Sequence, residues 1–152
     1  MPGPAANFPG QSCMSDKYFI DTNIFVYSFD AKSAAKREIA RDLIAVALEK
    51  GTGVISSQVA QEFLNAATRK FAVPLKLEDA KRYLDIVLDP LCEIFSSTDL
   101  CHQALEIAAE WRLAFDDALI VAAALQAECA VLYSEDMKDG QKIRGVTIRN
   151  PF

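Results

Sequence analysis

Residues 18–23 have the sequence Tyr18-Phe19-Ile20-Asp21-Thr22-Asn23. Three apolar residues are followed abruptly by polar ones, which is the pattern of a short buried strand that ends at Asp21. Further strands are expected at 54–55, 91–95, 131–133 and 146–148. The stretches between these strands carry apolar residues mostly at helical spacing. Because strands alternate with helices, the sequence predicts an α/β fold, a single three-layer α/β/α domain around a central, mainly parallel sheet.

The boundaries of the expected helices follow from capping residues, glycines and prolines. Gly51 and Gly53 are expected to close a helix over residues 34–49. A helix capped by Ser56-Ser57 is expected to end before Pro74. Further helices are expected over residues 77–88, from a cap at Thr98 or Asp99 to Trp111, and over residues 116–126. Pro90 is expected to stop the helix over residues 77–88 because proline cannot continue one.

The length and composition fit one globular domain. The chain has 152 residues, of which 51% are hydrophobic and 24% charged. Residues 1–15 are rich in Pro, Gly, Ala and Asn, and we expect a disordered tail there before a domain over residues 16–152. Either Met1 or Met14 can be the true start. The sequence contains neither a secretory signal nor an apolar stretch of about 20 residues, so a cytoplasmic protein is expected.

Cysteine usage and net charge narrow the possible functions. The four cysteines form no C-x-x-C pair and there is one histidine, which argues against a structural zinc site and favours reduced thiols. The formal net charge of −5 argues mildly against a nucleic-acid substrate, since such proteins usually carry a basic face. Carboxylates at a metal site enter this sum, however, and bound divalent ions largely neutralise them.

Four acidic residues are expected at one edge of the sheet. Asp21 follows the first strand, Glu62 lies in the helix after the second, and Asp136 follows the fourth. Asp117 begins the alanine-rich helix. The carboxyl ends of parallel strands meet at one edge, where functional groups gather. Each residue alone also fits a helix cap or a surface charge, but four together predict a site.

The chemistry of such a cluster favours a metal ion. Carboxylates packed together repel each other, which raises their pKa values unless a cation joins them. Mg²⁺ and Mn²⁺ prefer oxygen ligands, polarise phosphodiesters and lower the pKa of bound water. The predicted reaction class is therefore hydrolysis of a phosphate ester, with one or two ions.

Other chemistries fit less well. A Ser-His-Asp or Cys-His arrangement would need His102, which lies within a predicted helix. Neither a G-x-x-x-x-G-K-[ST] nor a G-x-G-x-x-G sequence is present. A phosphatase with an aspartyl nucleophile usually has Asp-x-Asp after the first strand, whereas the second position here is Asn23.

Four segments together resemble the motifs of the PIN-domain family, and in particular of VapC-like toxins. They are Phe19-Ile20-Asp21-Thr22-Asn23-Ile24-Phe25, residues 56–63 with Glu62, residues 115–124 with Asp117, and residues 132–137 with Ser134 and Asp136. The similarity covers residues 17–152, with the motifs in the family's order. It selects Asp117, directly before Ala-Leu-Ile, over Asp116.

The resemblance implies a PIN-like fold and a Mg²⁺- or Mn²⁺-dependent endoribonuclease, the toxin of a type II toxin–antitoxin system. Asp21, Glu62 and Asp117 would bind the main ion, and Asp136 would complete the site. Thr22, Asn23 and Ser134 would hold carboxylates or the scissile phosphate by hydrogen bonds. Asp116 and Glu135 are expected to point elsewhere, because consecutive side chains do not share a face.

The resemblance also implies partners. These are an RNA substrate such as tRNA or rRNA, a cognate antitoxin and often a second copy in a homodimer; DNA remains an open substrate. Basic residues near the predicted site, which could contact phosphates, are Lys32, Lys36, Arg37, Arg41, Arg69, Lys70, Lys138, Lys142 and Arg144. The alternative is a non-catalytic RNA- or protein-binding module on the same fold.

Overall fold

The computed structural model describes residues 16–152, so the predicted tail over residues 1–15 lies outside the described residues. Its strands are β1 (Tyr18–Ile20), β2 (Gly53–Ser56), β3 (Cys92–Ile94), β4 (Val131–Tyr133), β5 (Lys142–Ile143) and β6 (Val146–Arg149). Within residues 16–152 they form one six-stranded sheet in the order β3-β2-β1-β4-β6-β5. Every pair is parallel except β5 and β6. The predicted mainly parallel sheet is confirmed.

Helices cover both faces of the sheet. They are α1 (Thr22–Tyr27), α2 (Ala34–Lys50), α3 (Ser57–Arg69), α4 (Leu77–Tyr83), α5 (Asp89–Leu91), α6 (Thr98–Trp111) and α7 (Phe115–Gln126), with a π-helical turn, Leu84–Leu88, between α4 and α5. α7 packs between α6 and strands β2, β4 and β6, while α2 packs on β2 and α1. The predicted three-layer α/β/α arrangement is therefore confirmed.

The core lies between the sheet and its helices. Phe19 and Ile20 of β1 and Leu132 of β4 are fully buried. In α7 a run of alanines is also buried, from Ala122 to Ala124. Because these side chains are small, α7 can lie close to the sheet, and its first turn is thereby held near the ends of the strands.

Two local expectations are wrong, and one helix was not predicted. The six-residue helix α1 directly follows β1 and was not expected. Ser97, not Thr98 or Asp99, caps α6, since its hydroxyl accepts the N–H of Leu100 at 3.0 Å. Pro90 does not stop the preceding helix but lies in the first turn of α5, where its missing N–H is tolerated.

Two further findings concern membrane-spanning helices and the cysteines. No helix within residues 16–152 is long and apolar enough to span a membrane. Cys92, Cys101 and Cys129 are free thiols, as expected, and Cys13 lies outside the described residues. Burial raises the pKa of the Cys129 thiol to about 12, so this cysteine is an unreactive part of the core.

Candidate active site

The order of the strands places the topological switch point of the sheet, called the crevice below, between β1 and β4. From β1 the chain adds β2 and β3 on one side, and then crosses to β4 and β6 on the other. Ligands of open α/β sheets bind at such a reversal, beyond the carboxyl ends of the strands. Ile20 is in register with Tyr133, so Asp21 and Ser134 emerge side by side at this point.

Asp21 is the buried acid of the crevice. Only 5% of it is exposed, and its Oδ1 accepts the N–H of Thr22 at 2.7 Å, which caps α1. Its Oδ2 accepts the hydroxyl of Ser134 at 2.7 Å. Burial raises the pKa of Asp21 to about 7, against the lowering effect of these two hydrogen bonds. The charges of Asp136 and Glu62 raise this pKa further, which indicates that the acids influence one another.

Glu62 reaches the same crevice from α3. Its Oε1 accepts the hydroxyl of Thr22 at 2.6 Å, and its Oε2 accepts the side-chain amide of Gln58 at 3.2 Å. The same Gln58 nitrogen donates to the carbonyl of Asp116 at 3.1 Å, at the start of α7. Gln58 therefore connects the helix that carries Glu62 with the helix that carries Asp117.

Asp136 is held from α1 and from its own loop. Its Oδ2 accepts the side-chain amide of Asn23 at 2.9 Å, and its N–H donates to the Ser134 hydroxyl at 3.2 Å. Ser134 is fully buried, whereas the carboxylate of Asp136 is exposed. The side chains of Thr22, Asn23 and Ser134 thus each donate a hydrogen bond to one carboxylate of the predicted cluster.

Asp117 lies in the first turn of α7 and is half-buried. Burial is the main cause that raises the pKa of its carboxyl, and the charges of Asp116, Asp136 and Glu62 add to it. Asp116 is exposed, and its Oδ1 accepts the N–H of Asp117 at 3.1 Å. Asp117 therefore shares an electrostatic environment with the acids of α3 and of the loop after β4.

The donor set suits a hard divalent cation. Its candidate ligand atoms are carboxylate oxygens. Burial raises the pKa values of Asp21 and Asp117, and the neighbouring carboxylates add a smaller repulsion that a cation would relieve. None of the four acids forms an ion pair with a Lys, Arg or His among residues 16–152. No three His, Cys, Asp or Glu side chains of that range are already gathered as the ligands of one ion.

Glu135 is engaged away from the cluster. Its Oε1 accepts the hydroxyl of Tyr27 in a short hydrogen bond, and its Oε2 pairs with Lys36 Nζ at 2.7 Å. The hydrogen bonds from Lys36 and Tyr27 lower the pKa of Glu135. The sequence predicts that Glu135 points away from the metal, but it does not identify Tyr27 or Gln58 as residues of the site. The position of Gln58 one helical turn before Glu62 was the available signal.

Several basic residues expected near the substrate have structural partners. Arg41 Nε donates to the carbonyl of Ser28 at 2.9 Å, and Arg37 donates to that of Asp30 at 3.1 Å, both just beyond α1. Arg144 lies 3.4 Å from Glu110. Exposed Lys138 and Lys142 flank the loop of Asp136 and remain candidates for phosphate contacts.

The comparisons with known proteins agree with this geometry. The model of the PIN domain family matches residues 18–139. Among solved structures, a toxin–antitoxin complex from Klebsiella pneumoniae aligns with a TM-score of 0.64 at 24% identity, covering 90% of this chain and 98% of that one. VapBC2 from Rickettsia felis, bound to a promoter DNA fragment, gives 0.62 at 22% identity, with 88% and 97% covered.

A third solved structure is of a toxin whose target is known. VapC20 from Mycobacterium tuberculosis, a toxin that cleaves the sarcin–ricin loop, aligns with a TM-score of 0.60 at 22% identity, covering 79% of this chain and 90% of that one. A search of curated proteins gave no match. The fold and the crevice define an α/β/α domain with an acidic edge, and the chain belongs to the PIN-domain family. The resemblance predicted from its motifs is confirmed.

Proposed function

We propose that this chain is a Mg²⁺- or Mn²⁺-dependent endoribonuclease, the toxin of a toxin–antitoxin pair, acting in the cytoplasm. The observation that carries the proposal is the hydrogen-bond network at the switch point of the sheet, in which Thr22, Asn23 and Ser134 hold the carboxylates of Asp21, Glu62 and Asp136. Asp21 and Asp117 have raised pKa values, and none of the four acids has a cationic partner among residues 16–152. Solved toxins of the same fold support the choice of an RNA substrate.

Each side chain has a defined part in this proposal. Asp21, Glu62 and Asp117 would hold the ion, directly or through water, and Asp136 would complete the site. A bound divalent ion supplies Lewis acidity toward a phosphodiester and lowers the pKa of water.

The polar neighbours act on the carboxylates. Ser134 and the N–H of Thr22 hold the two oxygens of Asp21. The Thr22 hydroxyl holds Glu62, and Asn23 holds Asp136. These hydrogen bonds favour the charged carboxylates and fix their orientation. Thr22 and Asn23 are partly exposed and would contact a scissile phosphate as well, whereas the fully buried Ser134 would act on the carboxylate alone.

The proposed protein partners are an antitoxin and, in a homodimer, a second copy of the chain. The solved relatives include toxin–antitoxin complexes, which supports the first of these. A surface groove of about 380 Å³ offers an apolar face for such a protein. It is lined by Phe29, Leu75, Asp79, Arg82, Tyr83, Ile86 and Val87. The acidic crevice would attract a basic side chain of an inhibitor for the same reason that it attracts a metal ion.

The test is cleavage of total RNA by the purified protein, freed of any copurifying partner, with Mg²⁺, with Mn²⁺ and with EDTA. Asp117→Asn removes one half-buried acid in the first turn of α7. Asp85→Asn is the control, at an exposed acid of the π-helical turn. We expect discrete metal-dependent fragments from wild type and from Asp85→Asn. Asp117→Asn should give at least ~100-fold less product, because losing a metal ligand lowers activity more than losing a residue that orients a ligand.

Two results would count against the proposal. Equal products from wild type and Asp117→Asn would identify a contaminating nuclease. Absence of cleavage with either ion, across RNA from several sources, would favour the non-catalytic binding module.

A further inference from the structure

Glu135 lies between two residues of the candidate site, Ser134 and Asp136, yet its carboxylate binds elsewhere. It accepts hydrogen bonds from Tyr27 at the end of α1 and from Lys36 in α2. Lys36 Nζ also lies 4.6 Å from the centre of the Tyr27 ring and 5.5 Å from that of Phe152. The Glu135 side chain therefore joins the loop after β4 to both α1 and α2.

This attachment is one of the contacts that hold the chain just before Asp136. The backbone of Ser134 is fixed by the sheet, because its N–H donates to the carbonyl of Arg149 at 3.0 Å. The N–H of Glu135 donates to Asn23 Oδ1 at 3.3 Å. Asp136 itself is exposed, and it is held by Asn23, by its own N–H bond to the Ser134 hydroxyl and by the position of the preceding residue, Glu135.

We propose that Tyr27, Lys36 and Glu135 form a clamp, the Glu135 clamp, that positions Asp136 for binding the divalent ion. The proposal rests on the proposed function of the acidic crevice. Within it, Glu135 is a positioning residue and not a metal ligand. Its contacts are charge-assisted hydrogen bonds, the stronger kind, and they are partly shielded, since 24% of the Glu135 side chain is exposed.

The size of the effect follows from how the clamp acts. Groups that orient metal ligands by direct contact typically change metal affinity 10–100-fold. The clamp acts one step further out, through a single peptide unit, so we expect its loss to weaken Mn²⁺ binding by about three- to tenfold.

The choice of variants separates positioning from simple electrostatics. Glu135→Gln removes a negative charge near the site and would weaken cation binding under either explanation. Tyr27→Phe leaves every charge in place and removes only the hydroxyl that donates to Glu135. Lys36→Met removes a positive charge, so it would strengthen Mn²⁺ binding if Glu135 were a ligand or if only charge mattered. The clamp predicts weaker binding in both Tyr27→Phe and Lys36→Met.

The measurement is Mn²⁺ affinity, followed by the electron paramagnetic resonance of free Mn²⁺, with RNA cleavage as a second readout. The control is Glu93→Gln, which breaks a similar surface ion pair, Lys17–Glu93 at 3.0 Å, away from the crevice. Thermal unfolding of each variant verifies its fold. We expect both clamp variants to bind Mn²⁺ about three- to tenfold more weakly than wild type, to recover cleavage at saturating Mn²⁺, and to combine non-additively with Glu135→Gln.

The outcomes separate the clamp from the proposed function. If wild type binds Mn²⁺ and cuts RNA while Tyr27→Phe and Lys36→Met keep wild-type affinity or gain it, only the clamp is overturned. If wild type neither binds Mn²⁺ nor cuts RNA, the proposed function fails and the clamp fails with it.

Discussion

Asp21 combines two roles that the sequence offered as alternatives. It caps α1 through the N–H of Thr22, and it is also the buried acid of the crevice. The two roles are compatible because a carboxylate has two oxygens, and Ser134 takes the second. A helix cap and a metal ligand are therefore not exclusive interpretations of an acid that follows a buried strand.

The raised pKa of Asp21 makes stability depend on pH. Folding raises this pKa from 3.8 to about 7, so the folded state holds the proton more tightly than the unfolded state does. The stabilisation from the bound proton is complete below pH 4 and is lost as pH rises to about 7. Asn at this position stays neutral throughout. In EDTA, Asp21→Asn should therefore gain stability relative to wild type between pH 5 and pH 8, on the order of 2 kcal/mol.

Urea unfolding at the two pH values measures this difference. Any constant effect of the substitution on the cap cancels in the comparison. Equal differences between Asp21→Asn and wild type at pH 5 and pH 8 would show that the pKa of Asp21 is not raised in the folded protein.

The residues that the sequence predicted at the site were those with a chemical signature. The acids of the cluster follow strands or begin a helix, which made their edge of the sheet predictable. Their individual roles came from the resemblance and remain predictions. Tyr27 and the link from Gln58 to Asp116 could not be predicted, because the partners Glu135 and Asp116 lie 108 and 58 positions away in the chain.

Among the elements, α1 shows that the local sequence pattern is not always sufficient to predict secondary structure. Its sequence, Thr-Asn-Ile-Phe-Val-Tyr, is rich in β-branched and aromatic residues that disfavour a helix. It is held as a helix by the Asp21 cap and by tertiary contacts, including Arg41 to the Ser28 carbonyl. The two-residue strand β5 was missed for a related reason, since only its pairing with β6 defines it.

Gly53 tests the packing of α2 on the sheet. A Cβ at this position would lie 2.3 Å from Ala47 Cβ and 3.3 Å from Ile20 Cδ1, so the helix would have to move away from β2. Gly53→Ala should lower the free energy of unfolding by about 3 kcal/mol, near the upper end for an overpacked core. Denaturant unfolding provides the measurement.

The matched control for this packing is Gly51→Ala. Gly51 has a φ of +67° and no atom within 4 Å of an added Cβ, so alanine there meets backbone strain alone, about 1 kcal/mol. A loss at Gly53 no larger than the loss at Gly51 would contradict the close approach of α2 and β2.

At the scale of the whole molecule, the class of fold was predictable and the strand order was not. Alternating apolar runs and helical segments indicate a parallel α/β/α domain wherever they occur. The order β3-β2-β1-β4-β6-β5, which creates the crevice, depends on pairings between distant segments. The net charge of −5, which argued against a nucleic-acid substrate, includes the four acids of that crevice.

Anomalous X-ray scattering from crystals grown with Mn²⁺ tests most directly whether these four acids form a metal site. We predict an anomalous peak in the crevice between β1 and β4, within reach of Asp21, Glu62 and Asp117, that is lost in Asp117→Asn crystals. No peak in the crevice, or Mn²⁺ bound only elsewhere on the surface, would contradict the central claim that this edge of the sheet is a divalent-metal centre.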